Sequence, residues 1–461
     1  MTENAEPRVQ CKAQTRRGTQ CKRRALRGRD SCWQHTPGFS RWMKRVGFFG
    51  FVAFGLTIIG LVADLTGLGL LPPLFPTSER MTGDFRIAVM GFAEEQNVEK
   101  GTGTELANSV YQRLTENFEQ MDWDVTVSIW GPDRVGKVSG ETNEERAKVA
   151  TELAERIGAH LVVYGLVESA QAGWIVIPEF VVSTTSFFEA QEVTGPHELG
   201  TPLSINGQDP IVTSIEVSKQ YRARVEALSR IAIGLAYYSV DRYAEALSEF
   251  ELALQVEDWQ EDRGKEIVYL LMGNAAGKNN ELSLAGSYHE AALGIAPNYA
   301  RAHIGLASTY YLLALSDYTR SLEPDDIDAE LLRQAIGEYE LAQDTTPRPT
   351  VSDMSGKVNF GLGQCYLMLS LTDDSNYLEL AVEKFNAVLT AYAEDSNINL
   401  RELVAESHAR LALIALINNQ PQEAVREYEA AVQLLYDKPE RQAYYEAEAK
   451  EIQLRIDSQQ K

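Results

Sequence analysis

Cysteine is almost missing from this chain: there are four, three of them at positions 11, 21 and 32, and the fourth, Cys365, stands alone. That distribution excludes a disulfide framework for everything after the first few dozen residues. Histidine is equally scarce, with six scattered copies in 461 residues. His289-Glu290 lacks the second histidine that a zinc-protease helix requires. No G-x-S-x-G is present, which excludes a nucleophile elbow. No carboxylate pair stands out from the acidic background. Basic charge is also short, 43 Lys and Arg against 66 Asp and Glu, for a net charge of −23. Twelve of the basic residues and only three acids fall in residues 1–45, so that head carries +9 and the remainder −32. At this length, two to four domains are expected.

One stretch invites a nucleotide-binding reading. GPDRVGKVSG, residues 131–140, follows the apolar run DVTVSIW, and Gly131, Gly136 and Lys137 have Walker A spacing. Val138 stands where the Mg²⁺-binding hydroxyl belongs. A phosphate-binding helix would start at the lysine, because its first N–H groups hold the phosphates. The better helix start is Thr142 with Glu145 three residues later, a capping box. Gly101 and Gly103 fail as a dinucleotide fingerprint because Leu106 takes the third glycine position. The chain is therefore expected to be no enzyme and to have no catalytic residues.

Between head and body runs VGFFGFVAFGLTIIGLVA, residues 46–63, without a charge. Eighteen apolar residues suffice for a helix across a ~30 Å hydrocarbon core, so a transmembrane helix is expected at 46–70. Arg41, Lys44 and Arg45 precede it, and the positive-inside rule puts residues 1–45 in the cytoplasm and the acidic body outside. The expected localisation is single-pass in the cell membrane.

The head places Cys11, Cys21, Cys32 and His35 within twenty-five residues. Four such ligands bind Zn²⁺ tetrahedrally, and a closed site can organise a segment too small for a core. The segment resembles a small Cys3His module of bacterial and phage proteins, through Cys11, Ala13, Thr15, Arg16, Gly18, Cys21, Ala25, Cys32, Trp33 and His35. Four protein ligands leave no open position, so the zinc is expected to be structural. The interleaved arginines and lysines could meet nucleic acid phosphates or anionic lipid; lipid together with a topology role is the favoured reading.

Residues 80–208 alternate strand and helix patterns: FRIAVMGF, ELANSVYQRLTENFEQM, DVTVSIW, NEERAKVATELAERIG, HLVVYGLVES and GWIVIPEFVV. This predicts a small α/β domain, and it resembles the N-terminal α/β domain of TolB-like proteins.

From residue 225 to the end a pattern of small residues and aromatics recurs. Gly234, Tyr237, Ala246, Phe250 and Ala253 are followed by Gly273, Ala276, Ala285, His289, Ala292 and Pro297. Three further sets follow: Ala307, Tyr310, Ala335, Tyr339 and Ala342; Gly363, Tyr366, Ala381 and Phe385; and Ala412, Ala424, Tyr428 and Ala431. The spacing resembles the tetratricopeptide repeat, an α-solenoid of helix pairs. About five repeats are expected, with an insertion near LSDYTRSLEPDDIDAELL and a polar capping helix from about Glu440 to Asp457. The resemblance implies a groove lined by the first helix of each repeat. At the corresponding positions stand Tyr238, Asn274, Lys278, Arg301, Ser308, Tyr311 and Gln364.

The combined expectation is multidomain: an α-solenoid preceded by a small α/β domain, a single transmembrane helix and a short zinc knuckle. It would act as a membrane-anchored scaffold that binds a protein or peptide partner. The alternative is a tethered regulator whose basic head binds nucleic acid. The ligand set predicts about one equivalent of zinc bound to residues 1–45 by metal analysis. Loss of the metal in a Cys21→Ser, Cys32→Ser variant is expected, and a metal-free wild-type peptide would contradict the assignment.

Overall fold

The computed structural model describes residues 80–459, apart from 122–124, 172, 184–193, 207–218, 258, 260, 261, 263, 346–351, 373–376, 396, 397 and 437. Two compact units divide it, one ending at Thr309 and the other starting at Tyr310.

The first unit opens with a mixed seven-stranded sheet: β1 (Phe85–Val89), β2 (Ala93–Glu94), β3 (Val127–Trp130), β4 (Leu161–Ala170), β5 (Gly173–Val182), β6 (Gly195–Glu198) and β7 (Leu203–Asn206). The order is β3-β1-β4-β5-β6, with β2 beside β4 and β7 beside β5. β1 is parallel to β3 and β4, and β5 is antiparallel to its neighbours β4, β6 and β7. The parallel part needs crossovers, which α1 (Thr102–Glu119) and α2 (Asn143–Ile157) supply. Strand periodicity of two assigns the faces. Phe85, Ile87 and Val89 share a core with Leu106, Val110 and Leu114 of α1. Ala88 and Met90 share another with Ala147, Ala150 and Leu153 of α2. The α2 start is the capping box read from the sequence: Thr142 accepts from the Glu145 N–H while Glu145 reaches back to the cap.

The α1-side core does not stop at the sheet. It continues through Val225, Leu228, Ile231, Phe250, Ile267 and Val268, which belong to α3 (Lys219–Tyr238), α4 (Tyr243–Leu254) and α5 (Lys265–Lys278). Each such side chain contributes roughly 1.5–3 kcal/mol on burial, so the sheet and the first helix pairs stabilise one another. α6 (Leu282–Ile295) and the start of α7 (Ala300–Ala314) complete the unit. The pairs pack as the spacing predicted, with a glycine beneath an aromatic ring. A Cβ on Gly234 would lie 2.3 Å from Phe250, and one on Gly273 would lie 2.5 Å from His289.

In the second unit the insertion forms single turns, Tyr318–Ser321 and Pro324–Asp326, before α8 (Ala329–Asp344). Asp328 caps α8 by accepting from the Glu330 and Leu331 N–H groups at 2.9 and 3.1 Å. Then follow α9 (Ser352–Thr372), α10 (Tyr377–Asp395), α11 (Ile398–Ile417), α12 (Pro421–Leu434) and α13 (Pro439–Gln459). The expected capping helix is α13. Its Tyr445, Ala449, Ile452 and Ile456 pack with Tyr428 and Ala431 of α12. Glu406 of α11, fully buried, accepts from the Tyr445 hydroxyl at 2.7 Å and pairs with Arg441. Burial would raise the Glu406 pKa, but Arg441 and Arg410 hold it below the usual carboxylate range.

The expected fold class is corrected in two respects. Among the described residues no helix is long and apolar enough to cross a membrane, and no group of three or more His, Cys, Asp or Glu could hold a metal. The long helices of the body are apolar on their packed side only; α3, for example, carries Arg222, Glu226 and Arg230 along its length. The architecture is a helical-repeat body with a small sheet domain. The single-pass localisation, with a cytoplasmic head and a body outside, is not supported and is withdrawn. The stretch 46–70 and the ligands Cys11, Cys21, Cys32 and His35 lie outside the described residues.

Glycine inside a helix ordinarily costs ~1 kcal/mol relative to alanine. At Gly337 of α8 an added Cβ meets nothing within 4 Å, so Gly337→Ala should raise the melting temperature. Gly234→Ala should lower it, because overpacking against Phe250 costs about 1–3 kcal/mol. Thermal unfolding of the two variants checks the contrast; equal effects would mean the ring does not fix the helix separation.

Candidate partner-binding site

The nucleotide-like loop is structural. Pro132–Val135 forms a single turn, and Gly91 exchanges backbone hydrogen bonds with Gly136 and Val138 at 2.9 Å each. Val138 is buried in the α2-side core. Lys137 Nζ lies 2.5 Å from Glu94 Oε2. The other oxygen of Glu94 accepts from the Gly101 and Gly103 N–H groups at 3.1 and 2.8 Å. The start of α1, where an α/β fold could hold a phosphate, is thus filled by the chain's own carboxylate. Burial acts to raise the Glu94 pKa, but Lys137 and these N–H groups bring it below the ordinary value.

The seven predicted groove residues divide between the units. In the second, Tyr311 and Gln364 are both buried. In the first, Tyr238 is fully buried, with its ring edge-on to Tyr243 at 5.0 Å. Lys278 and Arg301 are also buried, while Asn274 and Ser308 are half-buried. Of these seven groove positions, the cationic side chains Lys278 and Arg301 are therefore not exposed.

Part of the reason is the sheet. Arg301, near the start of α7, places Nη1 3.1 Å from Nε2 of His197 on β6. The His197 ring stacks on Phe180 of β5 with centroids 5.0 Å apart. Beyond β6, the turn at Gly200 meets the start of α5: a Cβ on Gly264 would fall 2.4 Å from the Gly200 nitrogen. Both glycines have positive φ, 87° and 92°. Arg224 of α3 lies against Gly200 and over the Trp259 ring at 4.8 Å. None of His197, Gly200 or Gly264 belongs to a repeat motif. The sequence reading singled out none of the three.

Asn274 differs from its neighbours. It sits on α5 one turn before Lys278, and its amide Nδ2 is buried with no hydrogen-bond partner. His289, packed on Gly273 and Gly305, likewise has a buried, unpartnered Nδ1, and burial lowers its pKa to about 4. A cavity of about 530 Å³ lies beside α1 and α3, lined in part by Ser109, Arg113, Tyr221 and Glu226. Its polar walls serve one another: Arg113 pairs with Glu226 at 2.8 Å, and Tyr221 bonds Leu106 O and Ser109.

The body is a helical-repeat array of packed helix pairs. No protein-family model matches the chain, and no curated protein matches it either; the likenesses to TolB-like and Cys3His modules are not shown by these comparisons. Among solved structures, the chain is similar to a thermophilic tetratricopeptide-repeat protein of Thermus thermophilus. The identity is 19% and the TM-score 0.35, over 48% of this chain and 98% of that one.

Proposed function

We propose that the chain is a non-catalytic protein-interaction scaffold, and that a partner segment in extended conformation contacts α5 at Asn274. The observation that carries this is the unpaired Asn274 amide. A buried donor without an acceptor costs about 1–3 kcal/mol. A backbone carbonyl supplied from outside offsets that cost, and an extended peptide presents carbonyls at regular intervals. Helical-repeat arrays stack into long surfaces suited to such segments.

The unpaired donor separates binding from stability. Asn274→Ala removes a group that the free protein leaves unsatisfied, so the melting temperature should hold or rise. Capture of a partner identified with the wild-type full chain should fall roughly fivefold or more, the effect of ~1 kcal/mol at a central contact. Unchanged capture by Asn274→Ala would show that the partner uses another face.

A further inference from the structure

We propose that the cavity beside α1 and α3 binds a small amphipathic monoanion, an apolar body carrying one carboxylate or sulfonate group, and that Lys219 and Arg222 hold its charge. The cavity's volume of about 530 Å³ lies within the ~300–1,000 Å³ range of small-molecule sites. Much of its lining is apolar. Ala223 and Val225 of α3 are buried, as is the Tyr221 ring. Val256, just past the end of α4, is half-buried and completes the apolar part of the wall.

The hydroxyls in the lining have no donor left for an anion. Tyr221 donates its proton to Leu106 O at 2.9 Å, and Ser109 donates its own to the same oxygen at 2.7 Å. A hydroxyl carries a single donor, so both are spent within the chain. Glu226 is committed too. Its Oε2 accepts from Arg113 Nε and Nη2 at 3.1 and 2.8 Å and from Asn117 at 3.4 Å. Its Oε1 lies 3.4 Å from Arg230. Lys219 and Arg222 stand two turns and one turn ahead of Glu226, on the same side of α3. Neither has a hydrogen-bond or ion-pair partner among the described residues.

Two cations left without partners stand out in a chain of net charge −23. Glu257, also in the lining and also without a partner among the described residues, offsets one of them. One positive charge remains, which suits a monoanion better than a dianionic phosphate. Lys219, Arg222 and Glu257 are exposed, and water weakens pairs made at such positions. The apolar lining therefore supplies most of the affinity, and the cations select for charge. Asn274 is not part of this lining, and the proposal does not rest on the scaffold reading.

The dye anilinonaphthalene sulfonate has the required chemistry, and phenylnaphthylamine is the same aromatic frame without the charge. Fluorescence titration of the full chain should show saturable binding of the sulfonate. The double variant Lys219→Gln, Arg222→Gln alters only exposed side chains and should keep the wild-type melting temperature. In it the dissociation constant of the sulfonate should rise roughly fivefold, while that of the neutral probe changes by less than about twofold. Hydrogen exchange locates the site. The sulfonate should slow exchange across residues 219–226 by about threefold or more and leave α6 unchanged. No saturable binding, an undiminished affinity in the double variant, an equal loss for both probes, or protection confined to other segments would each overturn the proposal. Any of these outcomes leaves the Asn274 result standing, and the converse holds.

Discussion

The first unit depends on one close backbone approach. Gly200, in the turn after β6, and Gly264, at the start of α5, meet so closely that a Cβ on Gly264 would fall 2.4 Å from the Gly200 nitrogen, while one on Gly200 would fall 2.5 Å from the Arg224 guanidinium carbon. Both have positive φ, a conformation that other residues adopt only with strain. With the turn seated there, His197 reaches Arg301, and Arg224 is sandwiched between Gly200 and Trp259. The α1-side face of the sheet then shares its core with α3, α4 and α5. The sheet domain is thus held by the repeats rather than appended to them.

This arrangement decides what the inner helices can offer a partner. Positions that a free repeat array would present, Tyr238, Lys278 and Arg301, are spent within the chain, and Asn274 keeps an unmet donor. Burying an unpaired amide is a cost the fold does not need for its own sake. That makes Asn274 a better marker of function than the charged residues around it. The same logic removes the nucleotide-like loop from consideration, since Lys137 and the glycines at the start of α1 are already engaged by Glu94.

Local features were legible in the sequence. The Thr142 capping box, the crossover helices and the glycine–aromatic spacing of the repeats each depend on residues close in the chain, or on a repeated interval. The turns joining paired helices use Asp241, Asn280 and Asn419 at φ near 61–63°, residue types that tolerate the left-handed region. The occupancy of the groove was not legible. Repeat phase gives the side of a helix on which a residue lies, and says nothing of a sheet edge 104 residues away in sequence. Reading an apolar run as a membrane anchor failed differently: composition sets a possibility, and no described helix realises it.

Native-state hydrogen exchange in rising denaturant tests most directly whether sheet and first repeats are one cooperative body. The account predicts that Val163 of β4 and Val268 of α5, both fully buried in the shared core, exchange through one opening with the same free energy and the same denaturant dependence. Two separate openings, with α5 remaining protected after β4 has lost protection, would contradict it.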